Sequence, residues 1–235
     1  MTGMREMLLD SMIGLGDSVK HPPKGFDTII IRIGGEIGVK GDWTRRAYEN
    51  QLAHNIRRAL KAYDIIYQDL MWKPGRLYLK ADINENLLNV LLRVFGISSI
   101  SPALEIKSNL DDIVEASLHI AKRTLKKGFS FAVRCRRVGS HPYKSEDVCR
   151  VVGQKILESF PDLDLRVNLK EPDITIGIEI REDRAYIYTD TIKGFGGMPL
   201  GTQPKLVCLL SGGIDSPVAC WMATRRGSPI IPLYF

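Results

Sequence analysis

A six-residue turn near the C-terminal end of the sequence has the residue types that bind an anion. Ser211–Ser216 reads SGGIDS and follows the apolar run Leu206–Leu210, which is typical of a strand buried on both faces. A helical pattern starts at Pro217 and ends at Gly227, and Ser216 suits its N-cap. Glycines let the backbone approach a phosphate, and a helix N-terminus favours negative charge. The stretch therefore predicts a phosphate site between a strand and a helix.

The spacing of this turn separates it from two common phosphate loops. No Lys follows the glycines as a Walker A loop requires, and they do not form G-x-G-x-x-G. The order S-G-G-x-D-S resembles the PP-loop of ATP pyrophosphatases, which adenylate a carbonyl oxygen and release pyrophosphate. That resemblance implies ATP and Mg²⁺, with Asp215 orienting one or the other. The candidate nucleotide-binding residues are Leu209, Leu210, Ser211, Gly212, Gly213, Asp215 and Ser216. The alternative is an ordinary strand-to-helix turn, because Ser and Gly are common in turns.

A basic cluster in the middle of the chain is the second candidate site. Its members between residues 134 and 150, with His141 and Tyr143 among them, are Arg134, Arg136, Arg137, Lys144 and Arg150. Strand alternation puts Arg134 and Arg136 on one face, and guanidinium groups suit phosphate oxygens. The net charge of +6 also favours an anionic partner, with nucleic acid first. Lys40, Arg45 and Arg46 could extend this surface. The alternative is solvated charge opposite an apolar strand face.

Composition is normal for a soluble globular protein of one or two domains, at 235 residues, 44% hydrophobic and 26% charged. The four cysteines have no CxxC spacing, and Cys208 and Cys220 suit small core positions. We therefore expect no disulfide framework, no metal-ligating cluster, and a location in the reducing cytoplasm. No apolar run is long enough to span a membrane. Residues 1–25 lack the pattern of a signal peptide, and we expect a loosely ordered extension there.

The order of predicted elements gives two N-terminal units. The first reads β-α-β-β-α-β, a ferredoxin-like pattern. Its elements are a strand at Phe26–Ile33, a glycine-rich turn at Gly34–Gly41, a helix at about Trp43–Tyr63 capped by Asp42, strands near Ile65–Asp69 and Arg76–Ala81, a helix at Leu87–Phe95 and an extended stretch at Ile97–Ile106. The second unit has a helix capped by Asp111 or Asp112 and running to Lys127, a strand at Phe129–Val138, a helix capped by Ser145 that stops at Pro161, a strand at Leu165–Leu169 and a hairpin of Ile174–Arg181 with Arg184–Thr191.

A connector rich in Gly and Pro, Gly194–Pro204, marks a domain boundary. No helical pattern follows Gly196 and Gly197 directly, so we interpret the connector as a linker and not as a second phosphate loop. Pro229–Phe235 reads as the next strand. The predicted organisation is a flexible extension at 1–25, an N-terminal domain at 26–84, a second domain at 85–191, a linker at 192–203 and a partial nucleotide domain at 204–235.

Several stretches, taken together and in order, resemble the tRNA 4-thiouridine synthetase (ThiI) family. They are GEIGVKG at Gly35–Gly41, VFGISS at Val94–Ser99, FAVRCRRVGSHPYKS at Phe131–Ser145, EPDITIGIEI at Glu171–Ile180, and GFGGMPLGTQ at Gly194–Gln203 leading into LLSGGIDSPVA. The resemblance covers Phe26 to Phe235. It implies an α/β protein with an α+β N-terminal part: a ferredoxin-like domain, a THUMP domain at 85–191, and the start of a Rossmann-like PP-loop domain.

The resemblance also implies a function. Family members use ATP to adenylate a tRNA uridine, and sulfur from a persulfide charged by a cysteine desulfurase then displaces AMP to give 4-thiouridine. Many bacterial members also supply sulfur for thiamine biosynthesis. The family further implies a homodimer whose THUMP unit grips the tRNA acceptor end. The candidate RNA-binding residues are Arg134, Arg136, Arg137, Lys144 and Lys40.

The sequence departs from the family pattern in its PP-loop domain. Only strand, helix and strand follow Pro204, although such a domain needs well over a hundred residues. The family's sulfur-carrying cysteine and any rhodanese-like extension are missing, and Cys220 occupies a packing position. We expect a truncated reading frame or a separate C-terminal polypeptide, and poor solubility of the chain alone because apolar strand edges are uncovered.

Three functions are compatible with these motifs. An ATP-dependent tRNA sulfurtransferase accounts for all of them. The alternative is a non-catalytic tRNA-binding THUMP protein with an inactive PP-loop. A PP-loop ligase acting on a small molecule leaves the two N-terminal units and the arginine cluster unexplained.

Overall fold

The computed structural model describes residues 25–73 and 75–234. Within that range the chain forms two compact units. The first contains residues 29–100 and 191–234, and the second contains residues 25–28 and 101–190. Apart from Gly25, the extension predicted at residues 1–25 lies outside the described residues. The predicted mixed α/β class is confirmed.

The first unit has the predicted ferredoxin-like element order. Its elements are β1 (Thr28–Ile33), α1 (Gly35–Gly38), α2 (Asp42–Ala62), β2 (Asp69–Lys73), β3 (Arg76–Lys80), α3 (Glu85–Leu92) and the first part of β4 (Ile97–Lys107). The strands are ordered β2-β3-β1-β4. The short helix α1 lies inside the glycine-rich stretch that the sequence predicts as a turn. The helix α2 starts at Asp42 itself, with Gly41 at its N-cap.

One strand of this unit lies later in the chain than predicted. The sequence places it near residues 65–69, but β2 begins at Asp69 and runs to Lys73. Asp69 pairs with Lys80 and Lys73 pairs with Arg76, so the pairing continues up to the tight connection with β3. A tight hairpin needs paired residues directly before its turn, which sets the position of β2.

The core of the first unit explains where the unit ends. Leu52, Ile56 and Leu60 recur every four residues and bury one face of α2. Leu87 of α3 and Ile97 of β4 are buried in the same cluster. The boundary therefore falls after residue 100 and not after residue 84, because α3 and the start of β4 complete the core of the first unit.

The second unit is a sheet with two helices. Its elements are the second part of β4, α4 (Leu110–Thr124), β5 (Ser130–Val138), α5 (Ser145–Ser159), a 3₁₀ turn (Pro161–Leu163), β6 (Arg166–Val167), β7 (Ile174–Arg181) and β8 (Arg184–Tyr188). The strand order is β4-β8-β7-β5-β6, with β5 parallel to both β6 and β7.

Alternation in β7 sets the two faces of this sheet. Ile176, Ile178 and Ile180 are buried in one cluster with apolar residues of α4 and α5. The predicted hairpin of β7 and β8 is confirmed, and Glu182 takes the left-handed turn position with φ of 50°. The helix α4 is capped by Asn109, whose Oδ1 accepts from the Asp112 N–H at 2.8 Å, and not by the predicted aspartates.

The C-terminal part of the first unit contains β9 (Ile192–Lys193), β10 (Leu206–Leu210), α6 (Asp215–Arg225) and β11 (Ile230–Tyr234). The strands β10 and β11 pair in parallel, as predicted for a strand-helix-strand segment. The residues predicted as a linker are hydrogen-bonded within the unit: the Gly194 N–H donates to Ser98 O at 3.0 Å, and the Gly96 N–H donates to Gly196 O at 2.8 Å. Among the described helices, none is long and apolar enough to cross a membrane.

Candidate functional site

The turn at Ser211–Ser216 is an open loop held by its two serines. The Ser211 N–H donates to Ser216 Oγ at 2.9 Å, and the Oγ atoms of the two serines lie 3.1 Å apart. The Gly213 N–H donates to Ser211 Oγ at 3.3 Å. A Cβ atom added to Gly212 would meet nothing within 4 Å. The loop is therefore fixed internally while its backbone is open to an approaching group.

The helix α6 begins directly after this loop. Its N-cap residue is Ile214, and no side chain caps it. The prediction that Ser216 is the N-cap is wrong, because the helix begins at Asp215 and Ser216 is its second residue, with its hydroxyl bonded back to Ser211. The N–H groups of an uncapped first turn favour an anion. Asp215, the first helical residue, is exposed at this end, so a phosphate bound beside its carboxylate calls for a cation between the two.

The strand that leads into the loop is more exposed than predicted. Val207 is 64% exposed and Leu209 is 59% exposed, whereas Leu210 is half-buried. The prediction of a strand buried on both faces is wrong for the described residues. Within them, β11 is the one strand paired with β10, and only α6 packs against this pair closely.

A disulfide joins Cys208 of β10 to Cys220 of α6, with Cα atoms 5.9 Å apart. Cys220 is buried as predicted for a core residue and Cys208 is half-buried, but the expectation of no disulfide framework is wrong for this pair. The two cysteines are 12 residues apart, and the fold of strand, loop and helix brings them together. The bond therefore fixes the spacing of the two elements that carry SGGIDS.

The basic cluster of the second unit is divided by the pleat of β5. Arg134 and Arg136 are exposed and lie opposite Gly177 and Glu179 of β7. The Arg134 Nη2 donates to Leu169 O at 3.2 Å. Arg137 alternates to the other face and donates from Nη1 to Gly139 O at 3.1 Å. The predicted shared face of Arg134 and Arg136 is thus present, and Arg137 does not belong to it.

The remaining predicted basic residues are spread over other elements. Lys144 is exposed at the start of α5, where its backbone N–H donates to Asp147 Oδ2 at 3.1 Å. Arg150 lies one turn later and pairs with Asp147 at 3.4 Å. Lys40 is half-buried and follows α1 in the first unit. Four of the five candidate RNA-binding residues therefore lie in the second unit.

The loop after β5 is anchored by residues whose packing the sequence did not reveal. Tyr143 donates to the carbonyl oxygen of Ser108, and His141 Nε2 lies 2.7 Å from the carbonyl oxygen of Glu182. Burial raises the pKa of the Tyr143 hydroxyl, and it raises the pKa of the neighbouring Cys135 thiol to about 11. His141 holds the loop to the β7–β8 hairpin, Tyr143 holds it to the residue that follows β4, and Cys135 is a neutral thiol at physiological pH.

The donor set around SGGIDS suits the phosphates of a nucleotide. It combines the amide of Gly212, the hydroxyls of Ser211 and Ser216, and the helix N-terminus, whereas the Gly213 N–H donates to Ser211 Oγ. Asp215 adds one carboxylate, which suits Mg²⁺ shared with phosphate oxygens. Among the described residues, no group of three or more His, Cys, Asp or Glu side chains could hold a metal on its own.

Family models match three consecutive parts of the chain. The ThiI ferredoxin-like domain matches residues 28–101, the THUMP domain matches residues 107–190, and the thiamine biosynthesis protein (ThiI) model matches residues 201–235. A probable tRNA sulfurtransferase of Thermococcus kodakarensis is 41% identical over 215 residues, covering 89% of this chain and 55% of the relative. One from Methanosarcina mazei is 39% identical over 214 residues, covering 90% and 52%.

The chain belongs to the tRNA 4-thiouridine synthetase (ThiI) family. The predicted family is confirmed, and the ThiI models divide the chain near the boundary between the two units. The chain spans about half the length of the curated relatives it matches.

Two solved structures resemble the chain over most of its length. PH1313 from Pyrococcus horikoshii has a TM-score of 0.80 and 38% identity, with 88% of this chain and 68% of that chain covered. A 4-thiouridine synthetase in complex with RNA and bound ATP has a TM-score of 0.73 and 31% identity, with 89% and 53% covered.

Proposed function

We propose that this chain acts in the ATP-dependent thiolation of tRNA, in which a uridine carbonyl oxygen is replaced by sulfur to give 4-thiouridine. The observation that carries the proposal is the SGGIDS loop, in which Ser211 and Ser216 hold each other at 3.1 Å while Gly212 faces open space. The solved ThiI relative with bound ATP and RNA supports it.

The proposed reaction has three steps. The uridine O4 attacks the α-phosphorus of ATP, the bond to the bridging oxygen breaks, and pyrophosphate leaves. A persulfide sulfur then bonds to C4, and AMP leaves with the former carbonyl oxygen. A thiol finally cleaves the remaining S–S bond by forming a disulfide with the carrier cysteine. Adenylation is needed because a carbonyl oxygen is a poor leaving group.

The residues of this chain have separate parts in that reaction. The backbone of Gly212 and Gly213 and the hydroxyls of Ser211 and Ser216 hold the phosphates and stabilise charge on the departing pyrophosphate. Asp215 takes one position on Mg²⁺, which neutralises phosphate charge.

The exposed face of Arg134 and Arg136 binds tRNA phosphates. We include in the proposal Arg137, Lys144 and Lys40 as further RNA contacts, binding at the tRNA acceptor end and a homodimer. The proposal also includes a cytoplasmic location, a cysteine desulfurase as sulfur donor and sulfur supply to thiamine biosynthesis.

A second candidate is a tRNA-binding protein without ATP chemistry. The observation that favours it is the exposure of the loop: Ser211, Gly212, Gly213 and Asp215 all face solvent, so within the described residues no wall surrounds a nucleotide base. In this candidate function the face of Arg134 and Arg136 still binds tRNA, and SGGIDS has no catalytic role.

Pyrophosphate release from ATP in the presence of unmodified tRNA separates the two candidates. The proposal predicts tRNA-dependent release that falls about a hundredfold in Asp215→Asn, the scale of losing one group that stabilises transition-state charge. The matched control is Asp111→Asn, another exposed aspartate in the first turn of a helix, which should keep full release. Binding of tRNA without any release, with the C-terminal half of a relative added in trans, would favour the second candidate.

A further inference from the structure

The C-terminal end of α6 is joined to the ferredoxin-like elements of its own unit by an ion pair across the sequence. Arg226, the C-cap residue of α6, places Nη1 at 3.1 Å and 3.2 Å from the two carboxylate oxygens of Glu36. Glu36 lies in α1, inside the GEIGVKG stretch. The side chains are 64% and 49% exposed, so the pair contributes little to global stability. Its geometric role is to hold the end of a helix.

Three aromatic rings pack beside this ion pair. Phe95, Phe195 and Trp221 form a triangle with ring centroids 5.6 to 5.7 Å apart. They come from the turn before β4, from the glycine-rich connector and from α6. Arg225 lies 5.8 Å over the Trp221 ring and donates from Nε to Phe195 O at 2.9 Å. Edge and cation–π contacts of this kind restrict orientation as well as distance.

Backbone hydrogen bonds complete the attachment. The Met198 N–H donates to Arg225 O, and the Gly201 N–H donates to Gly227 O, both at 2.9 Å. The backbone of Gly197 lies so close to Arg225 that any side chain at this position would overlap it. Glycine is therefore required there. A cavity of about 380 Å³ adjoins the ion pair and is lined by Glu36, Gly197, Met222, Ala223, Arg225 and Arg226. The helix end is thus held by an ion pair, ring contacts, backbone hydrogen bonds and the close packing of the buried Gly227.

The opposite end of the same helix carries the phosphate loop. α6 has 11 residues, and Val218 and Met222 on its length are 48% and 59% exposed. A rigid helix transmits a displacement of its C-terminal end to Asp215 and Ser216 at its N-terminal end. Cys220 in the middle of α6 is buried and disulfide-bonded to β10, so strand, loop and helix form one segment. The attachment at residues 225–227 sets the position of this segment against the ferredoxin-like elements of the unit.

We propose that Glu36 is a positioning residue for the phosphate loop, acting through Arg226 and the aromatic triangle on the direction of α6. The inference rests on the proposed function for its ligand, ATP. The GEIGVKG stretch then contributes to nucleotide binding, although it lies far from SGGIDS in the sequence.

The test combines charge reversal with rescue in the full 235-residue chain, using Mg²⁺-ATP as the probe. We expect Glu36→Lys, which faces Arg226 and Arg225 with a like charge, to weaken ATP binding about tenfold. The double variant Glu36→Lys with Arg226→Glu should recover to within about threefold, because the pair is restored in the opposite sense. Glu85→Lys, at an exposed position at the start of α3, is the control and should bind as the parent does.

Hydrogen exchange of the peptide that contains residues 211–216 gives the second readout. Faster exchange in Glu36→Lys that the double variant reverses supports the inference, even if the parent chain binds no ATP and the proposed function fails. Equal ATP binding and equal exchange in Glu36→Lys and the parent would overturn it, and so would a double variant no better than the single one. If Glu36→Lys does not fold, as judged by circular dichroism, Glu36→Gln replaces it, with an expected loss of about two- to fivefold.

Discussion

Ser216 faces Ser211 across the phosphate loop, and its hydroxyl accepts the Ser211 N–H at 2.9 Å. A residue that the sequence suggests as a helix cap is therefore used to shape the loop. The consequence is that the first turn of α6 has no side-chain cap and is left to bind an anion.

Ser216→Ala should weaken Mg²⁺-ATP binding about tenfold. It removes a hydroxyl that contacts the charged ligand, and it leaves the Ser211 N–H without its acceptor. Isothermal titration measures the change. Ser140→Ala, an exposed loop serine of the second unit, is the control and should leave the affinity unchanged. Equal affinities for Ser216→Ala and the parent chain would show that this hydroxyl does not take part in ATP binding.

The disulfide between Cys208 and Cys220 predicts two free thiols per chain without reductant. Alkylation in denaturant before and after reduction, followed by mass spectrometry, should label Cys135 and Cys149 first and all four cysteines only after reduction. Reduction should destabilise the segment by about 3 kcal/mol, the loop-closure value for a loop of this length. Four labelled cysteines in the unreduced chain would contradict the bond.

Arg136→Ala should lower the salt dependence of tRNA binding. Loss of one phosphate contact reduces the slope of log affinity against log salt by about 0.9 and weakens binding across tRNA species alike. Arg136 is the better test than Arg134, since Arg134 also donates to Leu169 O. Arg166→Ala, on β6 of the same unit and 74% exposed, is the control. A slope that changes equally in both variants would mean that only net charge matters.

Gly177 lies under the ring of Tyr188 on the neighbouring strand, and a methyl group there would overlap the ring. Gly177→Ala should therefore destabilise the second unit by about 1–3 kcal/mol. Gly153→Ala in α5 is the matched control: its nearest neighbour would be Val133 Cγ2 at 4.0 Å, and helix propensity should stabilise the unit by about 0.5–1 kcal/mol. Thermal unfolding measures both, and a stabilising Gly177→Ala would show that the ring moves away freely.

Burial raises the pKa of the Cys135 thiol to about 11 from an ordinary value of 9.0, which favours its neutral form in the folded state. The stability that this thiol contributes is fully present below pH 9 and is lost as pH rises toward 11. Iodoacetamide should label Cys135 in the folded chain slowly at pH 8 and faster toward pH 11, whereas the unfolded chain reacts readily at pH 9. Fast labelling of folded Cys135 at pH 8 would contradict this environment.

Local patterns in the sequence predicted much of the fold. The alternation of Ile174 to Ile180 identified β7, and the turn residues Glu182 and Asp183 identified its hairpin, because a period of two and a short polar turn are local signals. The SGGIDS loop was recognised for the same reason. The start of β2 was misplaced since hairpin register is set by pairing between strands.

Contacts between distant residues accounted for what the sequence did not predict. The pairing of Glu36 with Arg226 spans 190 residues, and the bond of Cys208 with Cys220 depends on how a strand and a helix pack. The apolar run at Leu206 to Leu210 predicted a buried strand, but burial depends on neighbours that the run itself does not specify.

The most direct test is hydrogen exchange of the chain with and without Mg²⁺-ATP. Binding of phosphates by the loop amides predicts slower exchange in the peptide that contains Ser211–Ser216, with no change in the β7–β8 hairpin. Unchanged exchange at Ser211–Ser216 under ATP concentrations that bind the chain, with protection elsewhere, would contradict the account.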